Sequence, residues 1–341
     1  MWEVFLLKKP TILGTCIYKE TGTKHSFKGM LCEDSVAKCY AKETGVTAVA
    51  LSDGAGSCEH ALVGSSLVSE TAAGLLSVKF EQLWALDNLT AAERIIREVC
   101  RPLSKASEAN NWAMESMYAT LLCVAVHPDG RYLAFHVGDG VIVGYSPKKG
   151  CHILSQYEHE YASNITTFVN VPGTDYKLLK GKREYSSFLL SSDGAEPYLV
   201  PPGIVTAPIL MLQQAAFILS DTEMEEYMSS LVNKLKKDCH ADDDISFALL
   251  SDYRDTEAVF FDMTHQFLCG LMDIPDMPAK RSKQKEYIKI IQELHYYPEG
   301  MSYMELCQKL YLRKKSRLLK RMSRMFPGEF LKCEKGWIYL G

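Results

Sequence analysis

The sequence predicts an α+β fold in which antiparallel sheets are covered by helices. Strand-like runs come in groups joined by short turns; in TLLCVAVH-PDGR-YLAFHV, Pro128 presets φ and Gly130 permits φ > 0, which makes a β-hairpin. Two long helical patterns lie together between such groups instead of after each strand, which disfavours a doubly wound parallel sheet.

The elements follow in order. WEVFLL, ILGTCIYKE, DSVAKCYAKE and VTAVALS read as strands up to about residue 52, with Gly- and Lys-rich turns between them. A helical pattern covers Glu59 to Val78, and a second runs from Thr90 to Ala109, with Thr90 as its cap and Glu93 three residues on. Strands return in MYATLLCVAVH, YLAFHVGD and GVIVGYSP, then near Asn164–Val171 and Ser186–Ser192. Helices are expected over 208–219 and 222–237, and DDISFALLS closes a body spanning residues 1–252. Residues 253–279, which contain DIPDMPAK, suit a connecting segment. Residues 280–341 read as three helices, KQKEYIKIIQELHYY, SYMELCQKLYL and SRLLKRMSRMF, followed by the hairpin FLKCEKGWIYL.

Composition bounds the function. The 341 residues are 47% apolar and 23% charged, as in an ordinary globular protein, and no run of about 18 apolar residues predicts a membrane span. MWEVFLLKKP places its charges after the apolar patch, the wrong order for a secretory signal. Eleven cysteines with no CxxC pair, several in apolar runs (Cys123, Cys269), read as reduced thiols in a cytoplasmic protein and argue against zinc. Residues 280–341 carry 15 Lys and Arg against 6 Asp and Glu, whereas the remainder carries 23 against 36. An acidic body with a basic tail implies two units with different partners.

Three apolar runs end alike, at Asp53-Gly54, Asp139-Gly140 and Asp193-Gly194, and a fourth begins after Asp242, Asp243 and Asp244. Singly, each Asp-Gly reads as a turn. In an antiparallel sheet, however, the end of one strand lies beside the start of its neighbour, so these acids can gather on one rim. Close carboxylates repel one another unless a cation sits among them, and hard divalent cations take oxygen ligands. The pattern therefore points to a carboxylate-rich Mg²⁺ or Mn²⁺ site at a sheet edge.

The ordered set GTKHSFKGMLCEDS (22–35), ALSDGAGS (50–57), MYATLLCVAV (117–126), VGDGVIV (137–143), LLSSDGAE (189–196) and DDISFALL (243–250) resembles the metal-dependent protein phosphatases, the type 2C serine/threonine family, in its bacterial branch. The resemblance implies two packed antiparallel sheets flanked by helical layers. It also implies Mg²⁺- or Mn²⁺-dependent hydrolysis of phosphoserine and phosphothreonine by activated water, in a bacterial signalling or stress module with a cognate kinase. Carried over by position, Asp53 bridges two ions, the Gly54 carbonyl binds one, and Asp193 and Asp243 hold the other. Asp34 acts through metal-bound water with Glu33 beside it, and Asp139 with Asp193 matches a pair that holds a third ion. Asp34, Asp53 and Asp193 are thus the expected catalytic acids. Asp244 stands where the family often has Asn. Two positions depart from the family: Ala55 replaces the histidine proposed as general acid, and the phosphate-holding arginine before Glu33-Asp34 is missing, leaving His25 and Lys28 as candidate phosphate contacts. His60, six residues after Gly54, reads more readily as a packing residue than as a substitute acid. These departures keep open a second reading, a phosphatase-like sensor or scaffold whose output is the tail.

The tail pattern resembles a winged helix turning at Glu334-Lys335-Gly336, with Arg317, Lys320, Arg321 and Arg324 outward on the recognition-helix position. Such a face suits either nucleic-acid phosphates or protein docking.

Overall fold

The computed structural model describes residues 12–156, 166–201, 203–271, 290, 293–294, 297, 300–310, 331–334 and 337–340. The chain forms two compact units, one of residues 12–216 with 221–253, the other including 217–220 and the chain from 254 onward.

The first unit contains two five-stranded antiparallel sheets. One has strand order β2 (Ser35–Ala41), β3 (Val46–Ser52), β4 (Leu121–Val126), β5 (Arg131–Val137), β8 (Lys177–Lys182). The other runs β1 (Leu13–Glu20), β10 (Ile245–Asp252), β9 (Ser187–Ser191), β6 (Val141–Ser146), β7 (Gly150–Gln156).

The side-chain period of two explains how these sheets stack. Every residue of β3 is buried. Val46, Ala48 and Ala50 face a core shared with helices α2 (Ala61–Val78) and α4 (Asn88–Asn110), while Val49 and Leu51 face the second sheet. In β4, Leu121, Cys123 and Ala125 take the helix side, and Leu122, Val124 and Val126 meet Ile142, Phe188, Leu190, Ala248 and Leu250 between the sheets. Strands buried on both faces must be apolar throughout, which is why VTAVALS and LLCVAV do not alternate with polar residues.

The outer face of the second sheet is covered by α6 (Ala207–Ala215) and α7 (Asp221–Asp238); α7 buries Met224, Met228, Val232 and Leu235 at helical spacing. The result is a helix–sheet–sheet–helix sandwich, as the resemblance implied. By length and mean hydropathy (1.4) α2 alone among the described helices could cross a bilayer, yet half of it is buried, through Val68, Ala72, Ala73 and Leu76, in the core it shares with the sheet.

Several expectations are corrected. The cap of α4 is Asp87, whose carboxylate accepts the Thr90 N–H at 2.9 Å and the Thr90 hydroxyl at 2.7 Å, so Thr90 lies inside the helix. No strand forms over 166–171, the described part of the run expected near 164–171; Val169 is instead buried there and donates its N–H to the Ala119 carbonyl. Strands β7 and β8 were not anticipated, nor were the short helices α1 (Thr23–Phe27), α3 (Phe80–Ala85) and α5 (Glu196–Leu199).

In the second unit, α8 (Thr256–Asp262) and α9 (His265–Leu271) occupy much of the segment read as a connection. Strand β11 (Met301–Ser302) leads into α10 (Tyr303–Lys309), which begins with a capping box between Ser302 and Glu305. Strands β12 (Leu331–Glu334) and β13 (Trp337–Leu340) pair antiparallel, with β11 on the other side of β13. Arg317, Lys320, Arg321 and Arg324 lie outside the described residues.

Candidate metal centre

Strand register assembles the acids. Ser35 pairs with Ser52, so one step further Asp34 stands opposite Asp53. Val141 pairs with Ser191, so two steps further Asp139 stands opposite Asp193. These four carboxylates therefore mark the same end of both sheets. Oxygen atoms of Asp53, Asp139 and Asp193 come within 4.8 Å of one another, the one group of this kind among the described residues.

Backbone contacts hold each acid in place. The Asp53 N–H donates to the Thr120 hydroxyl at 2.9 Å, and its carbonyl accepts the Thr120 N–H at 2.9 Å. Gly54 forms a single antiparallel bridge with Ala119, and a Cβ there would lie 2.6 Å from the Ala61 carbonyl oxygen. Only glycine fits that approach of α2 to the turn. Asp139 accepts the Thr166 hydroxyl at 2.7 Å. Its carbonyl lies 3.2 Å from Nε2 of buried His136, whose Nδ1 is 2.6 Å from the Ser155 hydroxyl. Burial pushes the His136 pKa down to about 4, so the ring is neutral, with Nε2–H donating to Asp139 and Nδ1 accepting from Ser155.

The electrostatics call for a counter-charge. Desolvation is the main cause that raises Asp53 well above an ordinary carboxylate, and Asp34, Asp193 and Asp139 add repulsion. Asp193 is raised to about 8, first by desolvation and then by Asp139, Asp34 and Asp243. Asp34 is 1% exposed and raised to about 6 by desolvation, which the nearby Ser246, Asp53 and Ser192 groups offset only in part. Neither Asp34 oxygen has a hydrogen-bond partner of good geometry. A buried, unpartnered carboxylate beside three crowded ones is costly. A hard divalent cation with oxygen ligands removes that cost, so this donor set fits Mg²⁺ or Mn²⁺.

Other expected residues are placed differently. Asp243 is exposed; its carboxylate accepts the Asp244 N–H at 3.0 Å, and it adds to the repulsion on Asp193 without joining the 4.8 Å group. Glu33 also stands outside that group: one of its carboxylate oxygens is buried without a hydrogen-bond partner, and desolvation raises its pKa. Asp244 is 4% exposed and acts as a clamp. It accepts the Gly22 N–H at 2.6 Å and the Glu33 N–H at 2.7 Å, with His25 Nδ1 at 2.9 Å. His25 Nδ1 thus lies at ion-pair distance from Asp244 without a hydrogen bond of good geometry, while its Nε2 lies 4.0 Å from Glu33. Lys28 is exposed and close enough to pull the Glu33 pKa down. His60 stacks on Trp112 with ring centroids 3.7 Å apart, which makes it a packing residue. Thr120, Thr166, His136 and the clamping role of Asp244 escaped the sequence reading. The first two sit in apolar or irregular runs with no marker, but the third acid of DDD was visible as a residue too many for one turn.

Comparison with known proteins gives the family and the fold. The family described as protein phosphatase 2C matches residues 21–242. No curated protein matches the sequence. Among solved structures, an arginine-to-lysine variant of a bacterial serine phosphatase superposes with a TM-score of 0.50 at 18% identity, covering 70% of this chain and 98% of that one. The serine/threonine phosphatase Stp1 from Staphylococcus aureus gives 0.49 at 17% identity, covering 71% and 95%. The former likeness speaks for the fold. Because the matched span contains Asp34, Asp53, Asp139 and Asp193 on the strand ends that bring them together, the chain belongs to the protein phosphatase 2C family.

Proposed function

We propose that this chain is a Mg²⁺- or Mn²⁺-dependent serine/threonine protein phosphatase acting in the cytoplasm on phosphoproteins made by a cognate kinase, in a bacterial signalling or stress module. The observation that supports it most is the convergence of Asp53, Asp139 and Asp193 within 4.8 Å beside buried, unpartnered Asp34. Asp53, the Gly54 carbonyl, Asp193 and Asp243 would hold two ions, and Asp139 with Asp193 a third, with Asp34 and Glu33 acting on bound water. When bound, such ions lower the pKa of a water and polarise a phosphoryl oxygen.

The protein's own groups orient and exclude. Asp34, buried opposite Asp53, would accept a proton or a hydrogen bond from a water. Thr120 and Thr166 fix Asp53 and Asp139. Lys28, with His25 held by Asp244, offers positive charge to a substrate phosphate. Nine described cysteines are free thiols, which supports a reducing compartment. The basic tail is proposed to dock nucleic acid or protein.

Hydrolysis of p-nitrophenyl phosphate should require Mn²⁺ or Mg²⁺ and vanish in Asp53→Asn and Asp193→Asn. Absence of metal-dependent turnover on this ester and on phosphopeptides would refute the proposal. Ala55, at the place where the resemblance implies that many family members have a histidine, favours a second reading, a sensor or scaffold with the tail as output. Calorimetric titration of Mn²⁺ into wild type and Asp243→Asn separates the two, because a scaffold need not bind ions at this rim.

A further inference from the structure

Residues 22–33 form a loop pinned at both ends by one carboxylate, since Asp244 accepts the N–H groups of Gly22 and Glu33. Within it, α1 ends in a Schellman turn: Met30 N–H donates to the His25 carbonyl at 3.0 Å and Gly29 N–H to that of Ser26 at 3.1 Å, with Gly29 at φ +66°. The loop is therefore built, and its place is defined by its neighbours. Lys24 bonds Asp242 through both its backbone N–H (2.9 Å) and its ammonium (2.7 Å), and it senses Asp243 and Tyr198. A Cβ on Gly56, in the turn after Asp53, would meet Glu33 Oε2 at 3.3 Å and His25 Nε2 at 3.9 Å. The loop thus lies against two arms of the acidic centre: the turn after β3 and the acids before β10.

On this anchored loop two large apolar side chains point into solvent. Phe27 is 94% exposed, the highest value among the described large apolar residues, and Leu31 is 72% exposed. Isolated apolar residues on a surface are ordinary. These two, however, bracket Lys28, Gly29 and Met30 in the chain, and Lys28 is within electrostatic reach of Glu33, the neighbour of Asp34. Nothing lies within 4 Å of the position a Gly29 Cβ would take, so the loop is open to solvent at Gly29. A cation at the mouth of an acidic metal site, bracketed by Phe and Leu, is complementary to a phosphate carried on a chain with apolar neighbours.

We propose that Phe27 and Leu31 form an apolar lip of the substrate site that receives apolar side chains flanking the phosphorylated residue of a protein substrate. This rests on the phosphatase reading above and sets its preference among phosphoproteins. Covering one such side chain accounts for about a tenfold difference between peptides, equivalent to about 1.4 kcal/mol.

The test uses full-length protein and two phosphoserine peptides that differ only in having Leu or Gly beside the phosphoserine. Turnover (kcat/KM) is measured with Mn²⁺, and binding of the corresponding phosphonate analogues is measured by fluorescence anisotropy. Wild type should favour the Leu peptide about tenfold in both measurements. Phe27→Ser/Leu31→Ser should lose that preference through KM, falling to the value wild type shows for the Gly peptide; Phe27→Leu, which keeps an apolar surface, should retain it. Equal preference in wild type and double variant would overturn the lip. So would a change of oligomeric state in the double variant with peptide selectivity intact, because the patch would then serve self-association. If wild type turned over no ester yet bound the Leu analogue selectively through Phe27 and Leu31, the phosphatase reading would fall and the lip would stand.

Discussion

Gly194 tests whether the rim is held by backbone approach. It follows Asp193, and its φ lies outside the left-handed region, so alanine there carries no conformational strain. The cost is steric. A Cβ would sit 1.9 Å from the Asp244 carbonyl oxygen and 3.0 Å from its carbon. Reaching ordinary contact requires the two strand ends to part by about 1.5 Å. Neither atom can rotate away, because both are main chain. Parting would also strain the 3.1 Å bond from Ser192 N–H to the Ser246 carbonyl and the 3.0 Å bond from Ser246 N–H to the Ser192 hydroxyl. Overpacking of this kind costs typically about 1–3 kcal/mol; with backbone on both sides, about 3 is expected. For a domain of this size that lowers Tm by about 6–12 °C. Gly74→Ala is the matched control. Gly74 lies inside α2 with nothing within 4 Å of its would-be Cβ, so alanine should add about 0.5–1 kcal/mol and raise Tm. Circular dichroism melts of both variants decide. A Gly194→Ala Tm within about 2 °C of wild type would refute the claim that this close approach sets the rim, all the more if Gly74→Ala raised Tm as expected.

Asp244→Asn should destabilise the first unit by about 1–3 kcal/mol, because an amide has one acceptor oxygen for the Gly22 and Glu33 N–H groups and no charge for His25. Its urea midpoint should fall at unchanged slope, and coincident midpoints would dismiss the clamp. At the β4–β5 turn, burial would raise the Asp129 pKa, but the Arg131 N–H and guanidinium together with His127 hold it at about 2. A folded pKa below the ordinary 3.8 stabilises the fold fully above 3.8, and that contribution disappears as pH falls from 3.8 through 2. Asp129 is 37% exposed, so the effect should stay under about 1 kcal/mol and shrink in salt. The stability difference between wild type and Asp129→Asn, followed from pH 5 to 2, should close over that interval; a flat difference would exclude the linkage.

What the sequence made legible and what it hid divide along a physical line. The Asp-Gly endings could be read because, although one acid after a strand is an ordinary turn, several on one sheet end repel one another and call for a common cation. Register then does the rest: once β2 pairs with β3, Asp34 faces Asp53 with no further information. Features set by competition between near-equal local choices were hidden. In LDNLTAAE both Asp87 and Thr90 can cap a helix, and Asp87 takes the place, its carboxylate accepting the N–H and hydroxyl of Thr90. TTFVNV has strand propensity, yet Val169 is buried in an irregular stretch, so tertiary burial overrode local preference. KLLKGK carries three lysines in six residues, with no alternation to mark it as a strand. It is the edge strand β8, where lysines guard an unpaired backbone, and Lys180 donates to the carbonyls of Leu83, Trp84 and Leu86. The run Asp242-Asp243-Asp244 shows the same limit at the site itself. Three identical side chains take three roles, partner of Lys24, exposed rim acid and buried clamp, because a strand start turns successive residues to different surroundings. Chemistry was therefore legible as composition at strand ends, and the division of labour among those acids required the fold.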